Sequence, residues 1–114
     1  RISNGSGSTI SAVFGTAINA QNLDSLTVTN ALNNANSAAS ITSIAVTALS
    51  ADGVVGAIDI DNEGTIRSFN RTINLTDAQD GIDINNSGTI DATHTTADAG
   101  AGTYDNYAIY ASRD

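Results

Sequence analysis

The sequence predicts an all-β fold, a right-handed parallel β-helix of about four rungs with about 24 residues per rung. Three observations carry this expectation. Residues 58–66 read IDIDNEGTI and residues 82–90 read IDINNSGTI, an offset of 24 with seven identities in nine. In both copies Ile alternates with Asp or Asn, the period of a strand with one buried face. The chain has no Pro, so no missing N–H interrupts a strand ladder, and its 10 Gly with many Asn, Asp and Ser supply the turns.

The first strand of a rung is read at Ile58-Asp59-Ile60 and Ile82-Asp83-Ile84, Ile inward and Asp outward. Asn62 and Asn86 end it, Gly64 and Gly88 permit a turn, and Thr65-Ile66 and Thr89-Ile90 open a second strand around a corner. Residues 72–76 (TINLT) supply a third strand before Asp77, Asp80 and Gly81 turn the chain back to Ile82. A coil with corners is therefore expected, with Ile58, Ile60, Ile66, Ile82, Ile84 and Ile90 stacked inside it. Weaker copies extend the pattern. Residues 26–30 (LTVTN) resemble the first strand, residues 41–46 a later strand of the same, longer circuit, and Ile2-Ser3-Asn4 with Ser8-Thr9-Ile10 an opening copy with two extra turn residues. Residues 108–111 (AIYA) read as the beginning of another first strand.

A length of 114 residues fits one solenoid domain over 1–114, or a segment of a longer solenoid. The apolar supply is aliphatic, with two Phe, three Tyr and no Trp or Met, which suits a thin column of stacked rows. Cys is absent, so neither disulfides nor thiolate metal sites are expected. Eleven Asp and one Glu against four Arg give a formal net charge of −8, which disfavours nucleic acid and anionic lipid and favours cations. The sequence offers no run of eighteen apolar residues, so membrane insertion is not expected.

The motif I-x-N-x-G-T-I, present as residues 60–66 and 84–90 in a chain rich in Ala, Asn, Ser, Thr and Gly, resembles the β-helical passenger repeats of bacterial autotransporters and related surface adhesins. The resemblance is strongest over residues 57–91. It implies an extracellular or bacterial cell-surface setting and a structural or adhesive role, and it brings no catalytic residues.

Asp59-x-Asp61-x-Glu63-Gly64, echoed by Asp83-x-Asn85-x-Ser87-Gly88, matches the opening of a calcium-binding loop, so Asp59, Asp61 and Asp83 are the candidate metal ligands and calcium the candidate cofactor. The closing carboxylate is missing, since Asn70 and His94 occupy its positions. The alternative is a strand with a solvated acidic face. Asn62 above Asn86 suggests either an asparagine ladder or exposed turn residues. His94, the only histidine, has no partner for a metal and reads as a surface residue. Tyr104, Tyr107 and Tyr110 suit contact with sugar or protein, or cover for the end of the stack. Asn4, Asn70, Asn74 and Asn85 begin N-glycosylation sequons.

No enzymatic activity is expected. Asp59, Asp61, Asp80 and Asp83 could form an acidic polysaccharide-degrading groove, but the repeat already explains their positions and no Lys is present. The leading expectation is a structural module that stacks head to tail with itself into a surface fibre. The phase of the strands motivates it, with the latter part of a first strand at one end and the beginning of one at the other. The alternative is the adhesive passenger segment of a longer protein, with cell-surface or matrix polysaccharide as partner.

Overall fold

The computed structural model describes residues 1–5, 7–31, 39–44, 46–93 and 108–112. Twelve short strands lie among them. They are β1 (Ile2–Asn4), β2 (Thr9–Ala12), β3 (Ile18–Gln21), β4 (Leu26–Asn30), β5 (Ser40–Ser43), β6 (Leu49–Asp52), β7 (Ile58–Asn62), β8 (Thr65–Ser68), β9 (Ile73–Thr76), β10 (Ile82–Asn86), β11 (Thr89–Ala92) and β12 (Ile109–Ala111). Every third strand pairs in parallel, giving three four-stranded sheets in the orders β1-β4-β7-β10, β2-β5-β8-β11 and β3-β6-β9-β12. The chain is thus a parallel β-helix of four three-strand circuits. Among the described residues no helix is long and apolar enough to cross a membrane.

The register confirms the repeat. Ile82 pairs with Ile58, Ile84 with Ile60 and Ile90 with Ile66. Inside the coil these continue as rows: Ile2, Val28, Ile60 and Ile84 on the first sheet, Ile10, Ile41, Ile66 and Ile90 on the second. A third row, Ile18, Leu49, Ile73 and Ile109, runs beside Ala20, Ala51, Leu75 and Ala111. Burial follows position along the stack. Val28, Ile41, Leu49, Ile60, Ile66, Ile73 and Leu75 are wholly buried, because a rung covers each on both sides. The six expected core isoleucines split accordingly: Ile58, Ile60 and Ile66 are buried, Ile84 and Ile90 are half-buried, and Ile82 is 37% exposed, since among the described residues no strand lies beyond β10 and β11.

Two expectations need correction. Residues 109–111 do not begin a first strand: Ile109 pairs with Ile73 and Ala111 with Leu75, so β12 is the third strand of the last circuit. Its alternation, I-Y-A, matches either register of an aliphatic row, and the long segment after β11 hides which. The repeat of 24 also holds strictly only for the pairs β7–β10, β8–β11 and β6–β9. Leu26 meets Ile58 and Thr9 meets Ser40, wider offsets absorbed at the corners.

Those corners have their own columns. After each of the first three third strands comes a residue with positive φ: Asn22 (55°), Gly53 (69°) and Asp77 (51°). Asn, Gly and Asp are the residue types that tolerate this left-handed geometry, and it turns the chain toward the next rung. Asn22 N–H donates to Asp52 O (2.9 Å) and Gly53 N–H to Thr76 O (3.1 Å), so the turns are stacked as the strands are. The segments TAINAQN (16–22), TALSADG (47–53) and RTINLTD (71–77) therefore share one shape. That likeness is the signal for β3 and β6.

Candidate functional site

Three features of the surface are candidates for function: the asparagine column, the acidic face beside it, and the two ends of the stack.

The asparagine column closes the first sheet. Asn4, Asn30, Asn62 and Asn86 end β1, β4, β7 and β10 in register. Each side chain turns into the corner, where Asn30 and Asn62 are wholly buried and Asn4 is 3% exposed. Asn4 Nδ2 donates to Asn30 Oδ1 (2.9 Å), Asn30 Nδ2 to Asn62 Oδ1 (2.7 Å) and Asn62 Nδ2 to Asn86 Oδ1 (2.7 Å). The same amide nitrogens reach backbone carbonyls, as Asn30 does to Ala39 O (3.2 Å) and Thr65 O (3.1 Å), and Asn62 to Gly64 O (3.2 Å) and Thr89 O (3.0 Å). The amide thereby adds a second hydrogen bond to corner carbonyls such as Ala39 O and Gly64 O, which also accept from the next strand. Of the two readings open for Asn62 and Asn86, the ladder is the one found, and it includes Asn4 and Asn30 as well.

Glycine at the corner is required by closeness of approach. A Cβ on Gly64 would run into the Ala39 carbonyl oxygen, and one on Gly88 into the Gly64 carbonyl oxygen. These are the carbonyls that bind the next strand: Thr65 N–H donates to Ala39 O (2.9 Å) and Thr89 N–H to Gly64 O (2.8 Å).

On the outer face, Asp59 lies opposite Asp83 and Asp61 opposite Asn85, all exposed. Asn85 Nδ2 donates to Asp61 Oδ1 (3.1 Å), so the second pair is joined by a hydrogen bond while the first sets two like charges opposite each other. Among the described residues no three Asp, Glu, His or Cys side chains are grouped so as to hold a metal ion. An open groove of about 400 Å³ runs beside this face, lined by Thr29, Asp61, Asn62, Glu63, Asn85, Asn86 and Ser87. It brings Asp61 and Glu63 together with amides, and no cationic side chain lines it. Asp59, Asp83 and Asp80 lie outside it.

Elsewhere the charges pair across rungs. Arg67 Nε donates to Asp91 Oδ2 (3.1 Å) between register partners of β8 and β11. The Arg71 guanidinium sits 3.6 Å over the Tyr110 ring, tying β12 to the corner before β9. Tyr110 is thus a strand residue on the outside of the third sheet, and Asn70 and Asn74 lie close by in the chain. His94, Tyr104 and Tyr107 fall outside the described residues.

At the ends the inward rows are open. On one side Ile82 is 37% and Ile109 43% exposed, with Ile84 and Ile90 half-buried; on the other Ile2 and Ile10 are half-buried. No family model, no curated protein and no solved structure matches the chain.

Proposed function

We propose that this chain is an extracellular structural module that stacks end on end with further copies of itself into a surface fibre. The observation that carries this reading is the pair of stack ends, where among the described residues no further strand pairs with the edge strands and the inward Ile2, Ile10, Ile82, Ile84, Ile90 and Ile109 are half-buried or exposed. An edge of this kind is a template for another strand. Small rungs also bury little apolar surface for their length, so each junction adds stability that one copy lacks. The acidic surface keeps fibres apart laterally.

Light scattering and electron microscopy of the purified chain test the proposal. Filaments with a rung spacing of roughly 4.8 Å along the axis are expected. A folded monomer that persists at high concentration with no fibres overturns it.

A second reading is the adhesive passenger segment of a longer surface protein, and one observation favours it. Val13 (56% exposed), Phe14 (94%) and Ile44 (70%) are exposed apolar side chains that follow β2 and β5, on the outside of the first two circuits. Replacing Phe14 by Ser should then reduce attachment to cells or matrix polysaccharide while leaving any fibre intact.

A further inference from the structure

The asparagine column has a direction. Each amide accepts at Oδ1 from the rung before it and donates from Nδ2 to the rung after it, so the series has an acceptor end and a donor end. At the first, Asn4 is 3% exposed, yet its Oδ1 receives no hydrogen bond among the described residues. A buried acceptor without a donor is costly, and native structures rarely leave one. At the other end, Asn86 Nδ2 donates only to Gly88 O (3.3 Å), whereas Asn30 and Asn62 each serve two carbonyls and a neighbouring amide.

We infer that the two ends are a donor and an acceptor for each other, and that copies join in one register, Asn86 of one copy over Asn4 of the next. This rests on the stacking reading and specifies its junction. Asn86 Nδ2 takes the bonds that Asn62 makes within the chain, reaching Oδ1 of Asn4 and the carbonyl of Thr9 in the next copy.

The rest of the junction follows from this one alignment, and each pairing is favourable. On the first sheet Ile84 falls on Ile2, continuing the row of Val28 and Ile60. One step back, Asp83 faces Arg1, an opposite charge where Asp59 offers Asp83 a like one. On the second sheet Thr89 falls on Thr9, Ile90 on Ile10 and Ala92 on Ala12. On the third Ile109 falls on Ile18 and Ala111 on Ala20. A shift by one residue would set the inward Ile84 against the outward Ser3 or against Arg1, because side chains alternate faces along a strand, and would take Asn86 out of line with Asn4.

Engineered cysteines test the register, and the absence of native Cys keeps the readout clean. Ser3 and Asn85 are exposed, face outward, and become neighbours across the junction, at a separation a disulfide spans. Within one chain they lie at opposite edges of a four-stranded sheet, too far apart to bond. The double variant Ser3→Cys with Asn85→Cys, oxidised after assembly, should give a ladder of covalent multimers on a non-reducing denaturing gel. Ser11→Cys with Asp91→Cys should do the same on the second sheet, and Ser11→Cys with Asn85→Cys should not. Assemblies in which the matched pairs stay uncrosslinked, or crosslink no better than the mismatched pair, overturn the register while leaving stacking in place. Failure of every variant and of the parent chain to assemble at all overturns both.

Discussion

Asn30 donates from Nδ2 to Oδ1 of Asn62 across 2.7 Å, with both side chains wholly buried. The contact joins two rungs whose residues are 32 apart in sequence, and the next contact, Asn62 to Asn86, joins two that are 24 apart. Removing the amide of Asn62 would take the acceptor from one of the bonds of Asn30 Nδ2, the donor from Asn86 Oδ1 and one bond each from the carbonyls of Gly64 and Thr89. Asn62→Ala is expected to cost about 1–3 kcal/mol, the range for a buried hydrogen-bonding group lost without replacement. Urea unfolding measures this, and Asn85→Ala, one residue before the column on the solvent side, should stay within about 0.5 kcal/mol of the parent.

Glycines at two corners should respond oppositely to a methyl group. Gly64→Ala forces a Cβ into the Ala39 carbonyl, where only backbone could give way, and is expected to cost about 1–3 kcal/mol. Gly81 has open space around its Cβ position and no positive φ, so Gly81→Ala should be neutral or stabilise by about 0.4–1 kcal/mol through the unfolded chain. Thermal melts of the two variants side by side decide it.

Position along the stack should set the cost of core truncation. Ile60 is wholly buried between rungs, and Ile60→Ala is expected to cost about 2–5 kcal/mol. Ile82, 37% exposed at the open edge, loses less in an isolated copy, about 1 kcal/mol. Equal costs in the monomer would contradict the end effect.

The Asp59–Asp83 pair should be destabilising in the absence of a counterion. Asp83→Asn is expected to raise the melting temperature at low ionic strength, with the gain fading in high salt as screening removes the repulsion. The calcium expectation predicts melts that differ by several degrees between calcium and chelator in the parent and coincide in Asp83→Asn. Identical curves in the parent reject a cation at Asp59, Asp61 and Asp83.

The fold was legible wherever the chain repeats itself closely. Ile58 to Ile66 and Ile82 to Ile90 align because both copies use the same two-residue corner, and strand period then assigns inside and outside. Reading faltered where corners vary. β3 and β6 carry Ala20 and Ala51 inside, too small to give a hydrophobic stripe of their own, and only the left-handed residues Asn22, Gly53 and Asp77 mark their ends. β12 was placed on the wrong sheet because the length of the segment before it says nothing of how many corners it turns. Of the candidate site, the pairing of Asp59 with Asp83 followed from the offset alone. The unfilled acceptor on Asn4 was not legible, since a sequence names an amide and only packing shows which of its atoms is left over.

Residues 31–39 separate β4 from β5, yet Ala39 N–H donates to Ala31 O (2.8 Å), so the chain leaves and rejoins the corner at a neck of two alanines. Ala39 then presents its carbonyl to Thr65 as Gly64 does to Thr89, and the asparagine beside it keeps its place. Length added at such a neck is invisible to the neighbouring rungs. A lineage of such chains can therefore lengthen, shorten and exchange its corner loops freely, evolving new surfaces by insertion and deletion, while the shaft that carries them goes on measuring the same distance from one amide to the next.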